Sequence, residues 1–286
     1  MKKPILEGSE TIAYRDPACI HVDGTFYLFF TLSVKENDHL YNRIGLSVSR
    51  DLVNWTKPRC VTEKNLLLNF SSPGNILPLN GFYRVFFCSY PLSDPWPVRW
   101  TASSDARLFY MDTKDFVTFS SPTLLRAKGD TEISEMGRMI DPYVFEDAQE
   151  KGLYHLFFKQ NGVSHSVSRD LVHWEYLGHI EGGENACILH KDGVYHLFHS
   201  PENGIGHKVS SDLVSWEETG IMTLNQSKWS WASGRLTAGF VMEAPEGFPH
   251  KYLMFFHGSK AECPPETHGA ASIGLCFSDD LFNFEY

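Results

Sequence analysis

Five times along the chain a short segment runs Asp, a large apolar residue, two variable positions, then an aromatic. The copies are Asp51-Leu52-Val53-Asn54-Trp55, Asp115-Phe116-Val117-Thr118-Phe119, Asp170-Leu171-Val172-His173-Trp174, Asp212-Leu213-Val214-Ser215-Trp216 and Asp280-Leu281-Phe282-Asn283-Phe284. Recurrence at this spacing marks a structure built from stacked supersecondary units. A second repeat accompanies the first. Asp23-Gly24-Thr25-Phe26-Tyr27-Leu28-Phe29-Phe30 returns as Asn80-Gly81-Phe82-Tyr83-Arg84-Val85-Phe86-Phe87, as Lys151-Gly152-Leu153-Tyr154-His155-Leu156-Phe157-Phe158 and as Asp192-Gly193-Val194-Tyr195-His196-Leu197-Phe198. A fifth copy, His250-Lys251-Tyr252-Leu253-Met254-Phe255-Phe256, has lost its glycine. Asn-Gly or Asp-Gly ahead of an aromatic, β-branched run is a hairpin signal.

Each unit therefore predicts four strands: an inner strand, the aromatic strand after the tight turn, a third strand, and an outer strand begun by the Asp-x-x-x-aromatic turn. The Asp is expected to cap that turn through nearby backbone N–H groups. Five units of four antiparallel strands make an all-β, five-bladed β-propeller. Residues 1–286 are read as one such catalytic domain.

In a propeller the inner strands line the axis, so residues at matching inner-strand offsets sit at one depth around it. Three blades put an acid there: Asp16 in Arg15-Asp16-Pro17, Asp141 in Ile140-Asp141-Pro142, and Glu184 in Glu184-Asn185-Ala186. Asp16 precedes Tyr27 by 11 residues and Glu184 precedes Tyr195 by 11. Asp141 precedes Tyr154 by 13, the two extra residues being assigned to a longer hairpin. Carboxylates crowded on one axis repel, and one is expected to keep its proton near neutral pH. A proton donor and an ionised carboxylate are what glycosidic bond cleavage requires.

Other residues are candidates for substrate contact. Arg235, leading into the fifth inner strand, suits a carboxylate or a sugar hydroxyl. Trp96 and Trp100, and Trp229 and Trp231, fall in segments where an aromatic face can stack on a sugar ring. Asn75 is a candidate hydroxyl ligand. Glu243 is a rival acid, read as a loop carboxylate. The 13 histidines show no metal-ligand spacing, and no metal site is assigned from the residues.

These motifs resemble glycoside hydrolase family 43, five-bladed propellers acting on arabinose- and xylose-containing glycans, and the resemblance covers all five blades. It implies Asp16 as general base, Asp141 as the residue that orients and tunes the acid, and Glu184 as general acid. It further implies exo-acting hydrolysis with inversion, needing no cofactor, although some members hold calcium on the axis. The chain departs from the family's Glu-Gly-Pro with Glu184-Asn185-Ala186, and from its Trp-Ala-Pro with Ser71-Ser72-Pro73. Two alternatives stand beside this reading: a non-catalytic sugar-binding propeller, and a retaining fructosidase- or transferase-type enzyme of families 32 and 68.

The formal charge of -10 argues against a nucleic-acid partner, since phosphate contacts need a basic surface. No apolar run is long enough for a membrane helix. The partner expected is an oligosaccharide. The N-terminus lacks the apolar core of a signal peptide, which predicts a cytoplasmic protein, or a secreted or periplasmic one if a signal has been removed. The six cysteines form no CxxC pair and read as free thiols, two of them (Cys19 and Cys187) in apolar strands.

Overall fold

The computed structural model describes residues 3–37, 39–91, 105–262 and 270–286. Trp96, Trp100 and Cys263 lie outside them. The described cysteines Cys19, Cys60, Cys88, Cys187 and Cys276 are thiols not joined in disulfides.

Strands β1 (Ile12–Val22), β2 (Thr25–Glu36), β3 (His39–Ser49) and β4 (Arg59–Cys60) form the first sheet, in that order. The second is β5 (Phe70–Leu79), β6 (Phe82–Ser89), β7 (Arg107–Thr113) and β8 (Thr123–Leu124). The third is β9 (Ile140–Glu146), β10 (Tyr154–Lys159), β11 (Val163–Ser168) and β12 (Glu175–Ile180), and the fourth β13 (Glu184–Lys191), β14 (Val194–Ser200), β15 (Ile205–Ser210) and β16 (Glu217–Met222). The fifth holds β17 (Arg235–Glu243), β18 (Tyr252–Ser259) and β19 (Ser272–Ser278). All pairings are antiparallel. The first strands touch in the order β1, β5, β9, β13, β17 and back to β1, which closes a five-bladed propeller.

The fourth strand of blade five is not one segment. Its place beside β19 is shared by the two ends of the chain. Ile5 N–H donates to Ile273 O at 2.7 Å and Ile273 N–H to Leu6 O at 2.9 Å. At the other end of β19, Phe277 and Glu285 exchange both backbone bonds at 2.8 Å. The Tyr286 hydroxyl also bonds the Lys3 carbonyl, tying one terminus to the other.

The aromatic repeat explains how the blades stack. Side chains alternate across a strand, so the paired phenylalanines of each second strand serve both faces of their sheet. Phe29 and Phe30, Phe86 and Phe87, Phe157 and Phe158, and Phe255 and Phe256 are all fully buried. Each contributes about 1.5–3 kcal/mol of apolar burial. The first repeat is a stapled turn. Asp51 Oδ1 accepts the N–H groups of Val53 at 2.9 Å and Asn54 at 2.7 Å. Asp115, Asp170, Asp212 and Asp280 repeat that pair of bonds in their own blades. The apolar residue next to each Asp is buried between sheets at positive φ, from 56° at Phe116 to 66° at Leu281.

Candidate active site

Every inner strand carries an irregularity at the same level. The register against the second strand shifts between Arg15 and Ala18, Ser71 and Asn75, Glu184 and Cys187, and Thr237 and Phe240. In blade three the shift falls opposite Phe157–Lys159, which pair with Tyr143 and Ile140. Within each bulge one residue adopts the left-handed conformation: Asp16, Ser72, Asp141, Asn185 and Ala238, with φ between 48° and 54°. An extra residue bends the strand and redirects a side chain. Here the five redirected residues form a ring round the axis. Four of them, Asp16, Asp141, Asn185 and Ala238, line a cavity of ≈ 20 Å³ with Pro17, Gly74 and Phe240 among its other walls. That space suits about one water molecule.

The pairings correct one step of the sequence reading. Phe26 faces His21, and Tyr195 faces His190 one residue before the strand's end, so Tyr195 corresponds to Phe26 and not to Tyr27. Asn185 therefore holds the position of Asp16, and Glu184 corresponds to Arg15, one step earlier. Glu184 is half-buried, whereas Asp16 and Asp141 are 5% and 3% exposed. Glu184 does not wall the axial cavity, yet its charge acts on Asp141 and on Tyr90. The three acids thus lie at one end of the inner strands: Asp16 and Asp141 buried, Glu184 one residue earlier and half-buried.

Asp16 is held by many donors. Thr31 Oγ1 donates to its Oδ2 at 2.8 Å, Ser72 Oγ to the same oxygen at 3.3 Å, and Asn185 Nδ2 to Oδ1 at 3.4 Å. Arg15 lies 3.7 Å away. Burial alone would raise this carboxyl, but the Arg15 charge and the Thr31 and Ser72 hydroxyls outweigh it and keep it below its ordinary value. His257 Nδ1 is also 3.7 Å from Asp16 Oδ1, and a charged imidazole there would add to the effect. However, Nδ1 accepts the Asp16 backbone N–H at 3.1 Å, so it carries no proton, and burial holds the ring neutral down to about pH 3. The contact is a hydrogen bond to the main chain, and Arg15 supplies the positive charge.

Asp141 is driven the other way. Burial first, then the Glu184 and Asp16 charges, raise its carboxyl to about 8, against donors from Ser72 and the Asn185 N–H. The latter reaches Asp141 Oδ2 at 3.2 Å. Two carboxyls of one ring, with opposite shifts, give an acid and a base side by side.

The remaining expectations divide. Arg235 begins β17 at the same end as the acids; it donates to the Pro201 carbonyl at 3.3 Å, and its charge is felt by His257. Asn75 does not reach toward a ligand. Its amide donates to Val144 O at 2.5 Å and accepts Val144 N–H at 2.9 Å, which spends it on joining β5 to β9. Trp231 is not a stacking platform either: it is 3% exposed and packs on Phe256 and Trp229 inside blade five. Trp229 lies against Tyr286 at 4.4 Å. Trp96 lies outside the described residues. Glu243 ends β17 at the far end from Arg235 and pairs with Lys191 at 3.5 Å. Thr31, Ser72, Asn185 and His257 were missed from sequence. Their only signal was position relative to the bulge, which no residue type announces.

Among the described residues no group of three His, Cys, Asp or Glu side chains is arranged to hold a metal ion. Calcium takes six to eight oxygen ligands. The axial cavity offers side-chain oxygens from Asp16, Asp141 and Asn185 alone, its other walls being apolar residues and glycine, which is fewer than that ion takes, so the residues present do not fit it.

A family model described as a probable glycosyl hydrolase domain, related to family 43, matches residues 2–187. The chain belongs to this family. No curated protein sequence matches it. Solved structures of family 43 and related propellers resemble the family 43-related fold throughout. A family 43 protein from Bacillus licheniformis superposes with a TM-score of 0.66 at 17% identity, covering 97% of this chain and 54% of that one. The chain thus spans about half the length of that relative. A family 43 enzyme from Xanthomonas citri, complexed with xylotriose, gives 0.66 at 11% identity, covering 99% and 92%. The catalytic domain of a family 62 α-L-arabinofuranosidase from Coprinopsis cinerea gives 0.70 at 12% identity, covering 96% and 94%. At these identities the likeness concerns the fold.

Proposed function

We propose that the protein is an inverting, exo-acting glycosidase of arabinose- or xylose-containing oligosaccharides. The observation that carries this reading is the split between Asp16, kept ionised, and Asp141, kept protonated, beside a cavity the size of one water. Asp16 is the general base: it takes a proton from that water as the water attacks the anomeric carbon. Glu184 donates a proton to the leaving oxygen. Asp141 touches neither; its neutral carboxyl spares Asp16 a second negative charge and sits within electrostatic reach of Glu184. Inversion requires base and acid about 6.5–9.5 Å apart, leaving room for the water, and that separation between Asp16 and Glu184 is part of the proposal. Arg235 is assigned to a substrate hydroxyl at the mouth. No step is routed through a metal.

The pentose preference draws support from solved structures named as xylosidases or arabinofuranosidases, beside a similar one named as an exo-β-1,3-galactanase. A second reading, a sugar-binding propeller without turnover, draws support from the depth of Asp16 and the number of its donors. A panel of aryl pentosides and hexosides, with NMR of the first-formed anomer, tests both. Release of the inverted anomer from a pentoside is the expected result. Sugar binding without turnover would favour the second reading, and a retained anomer would end the single-step mechanism.

A further inference from the structure

We propose that His199 and Lys159 are positioning residues: they fix the backbone that leads into Glu184 and so set the direction of its carboxyl. This rests on the reading of Glu184 as proton donor and names what aims it.

Two glycines, Gly182 and Gly183, precede Glu184. The second is required sterically, because a Cβ on Gly183 would stand 1.8 Å from the Ser200 carbonyl oxygen. Ser200 is the register partner of Glu184, so this close approach is what lets β13 enter its sheet. The cost is freedom, since glycine has more backbone conformations open to it than any other residue. Among the described residues no hydrogen bond reaches the Glu184 carboxyl, so its direction depends on the main chain that carries it.

Two side chains, from two blades, hold the glycines. Lys159, the last residue of β10 in blade three, donates from Nζ to the Gly182 carbonyl at 3.1 Å. His199, on β14 of blade four, accepts the Gly183 N–H on Nδ1 at 3.0 Å. The imidazole is 5% exposed. It has room because its own register partner is Gly206, where a Cβ would stand 2.5 Å from the ring. The bond fixes the tautomer: Nδ1 accepts, so the ring proton is on Nε2. Nε2 stands 4.0 Å from the Glu218 carboxylate, which Lys208 holds at 2.7 Å. The residue after Glu184 is held as well. Ser200 Oγ donates to Asn185 Oδ1 at 3.0 Å, and Asn185 N–H donates to Asp141 Oδ2 at 3.2 Å. His199 and Ser200, adjacent on β14, therefore grip the residues on both sides of Glu184.

Amide hydrogen exchange of the intact chain, followed by 15N NMR, tests the clamp without substrate. His199→Phe keeps a flat ring and removes the acceptor. Exchange at Gly183 and Asn185 is expected to rise roughly tenfold, the loss of about one hydrogen bond, with the rest of β13 and β14 unchanged. His199→Asn, which offers an amide oxygen where Nδ1 stood, is expected to recover the protection. Lys159→Met removes the other bond from a half-buried side chain and gives the same reading if His199→Phe fails to fold. Wild-type exchange at Asn185 in a folded variant, or faster exchange throughout blade four, would overturn the proposal. In turnover, His199→Phe is expected to lose roughly tenfold in kcat on alkyl or sugar leaving groups, with KM and the rate on activated aryl leaving groups nearly retained. Leaving-group dependence in Glu184→Gln without it in His199→Phe would overturn the clamp. Its absence from both would unseat Glu184 as donor, and the exchange result then decides by itself whether the backbone is held.

Discussion

Asn185 occupies in blade four the left-handed bulge position that Asp16 occupies in blade one. The two side chains meet across the axis at 3.4 Å, amide to carboxylate. An amide there adds a donor without adding a charge, so the ring holds two acids and not three. The third acid, Glu184, stands one residue earlier on its strand and is half-buried.

Replacing the base tests that division directly. Asp16→Asn keeps the shape of the side chain and most of its hydrogen bonds while removing the negative charge. Hydrolysis should fall at least 10²–10⁴-fold, on the order of a general-base contribution, with a cooperative thermal transition retained. Unchanged turnover in a folded variant would remove Asp16 from the mechanism.

Glu184→Gln should separate substrates by leaving group. An activated aryl leaving group needs little protonation and should lose little rate, whereas an alkyl or sugar leaving group should lose roughly 10²-fold or more. Steady-state kinetics on a leaving-group series reads this out. Equal losses on both classes would mean that Glu184 does not donate the proton.

Acid should destabilise the fold before its carboxylates protonate. Burial holds His165 and His257 neutral to about pH 3, and His199 and His207 to about pH 4, against about 6.5 in the unfolded chain. Because the folded values are depressed, the unfolded chain binds more protons as pH falls from 6.5 toward 4. Each histidine then removes up to about 1.4 kcal/mol per pH unit. Asp141 acts oppositely. Its folded value is raised to about 8, so its contribution is full below the unfolded value and is lost as pH rises toward 8. Four histidines outweigh one aspartate, and maximum stability should lie near pH 6–7. Urea midpoints measured from pH 4.5 to 8 check this; a flat profile between pH 7 and 5 would contradict it.

Trp231→Ala should unfold the protein more easily without weakening its hold on sugar. The indole is packed on Phe256 and Trp229, and losing a buried aromatic costs about 3–5 kcal/mol. Thermal denaturation and sugar titration on the same sample distinguish the roles. A normal melting temperature with lost affinity would return Trp231 to the binding surface.

The architecture was legible because two repeats, one of turns and one of aromatic strands, mark every blade with residues that only sterics and capping explain. Asp51 and its four counterparts announce their turns. Phe29-Phe30 and its counterparts announce strands buried on both faces. The deep acids were legible as Asp-Pro pairs, Asp16-Pro17 and Asp141-Pro142. The ring they belong to was not, because a bulge leaves no compositional trace: Ser72, Asn185 and Ala238 share a backbone conformation and nothing else. The same silence put Glu184 in register with Asp16 when counted from Tyr195, a one-residue slip that strand pairing alone exposes. Asn75 and Trp231 were misjudged for a related reason. Residue type suggested sugar contact, whereas their partners, Val144 and Phe256, are distant in sequence and visible only once the blades are stacked.

The split outer edge of blade five makes closing the ring a long-range event. Ile5 and Leu6 on one side of it and Glu285 on the other are separated by almost all of the described sequence, so the fifth sheet is completed only by contacts of very high sequence separation, the kind whose loop-closure entropy slows folding.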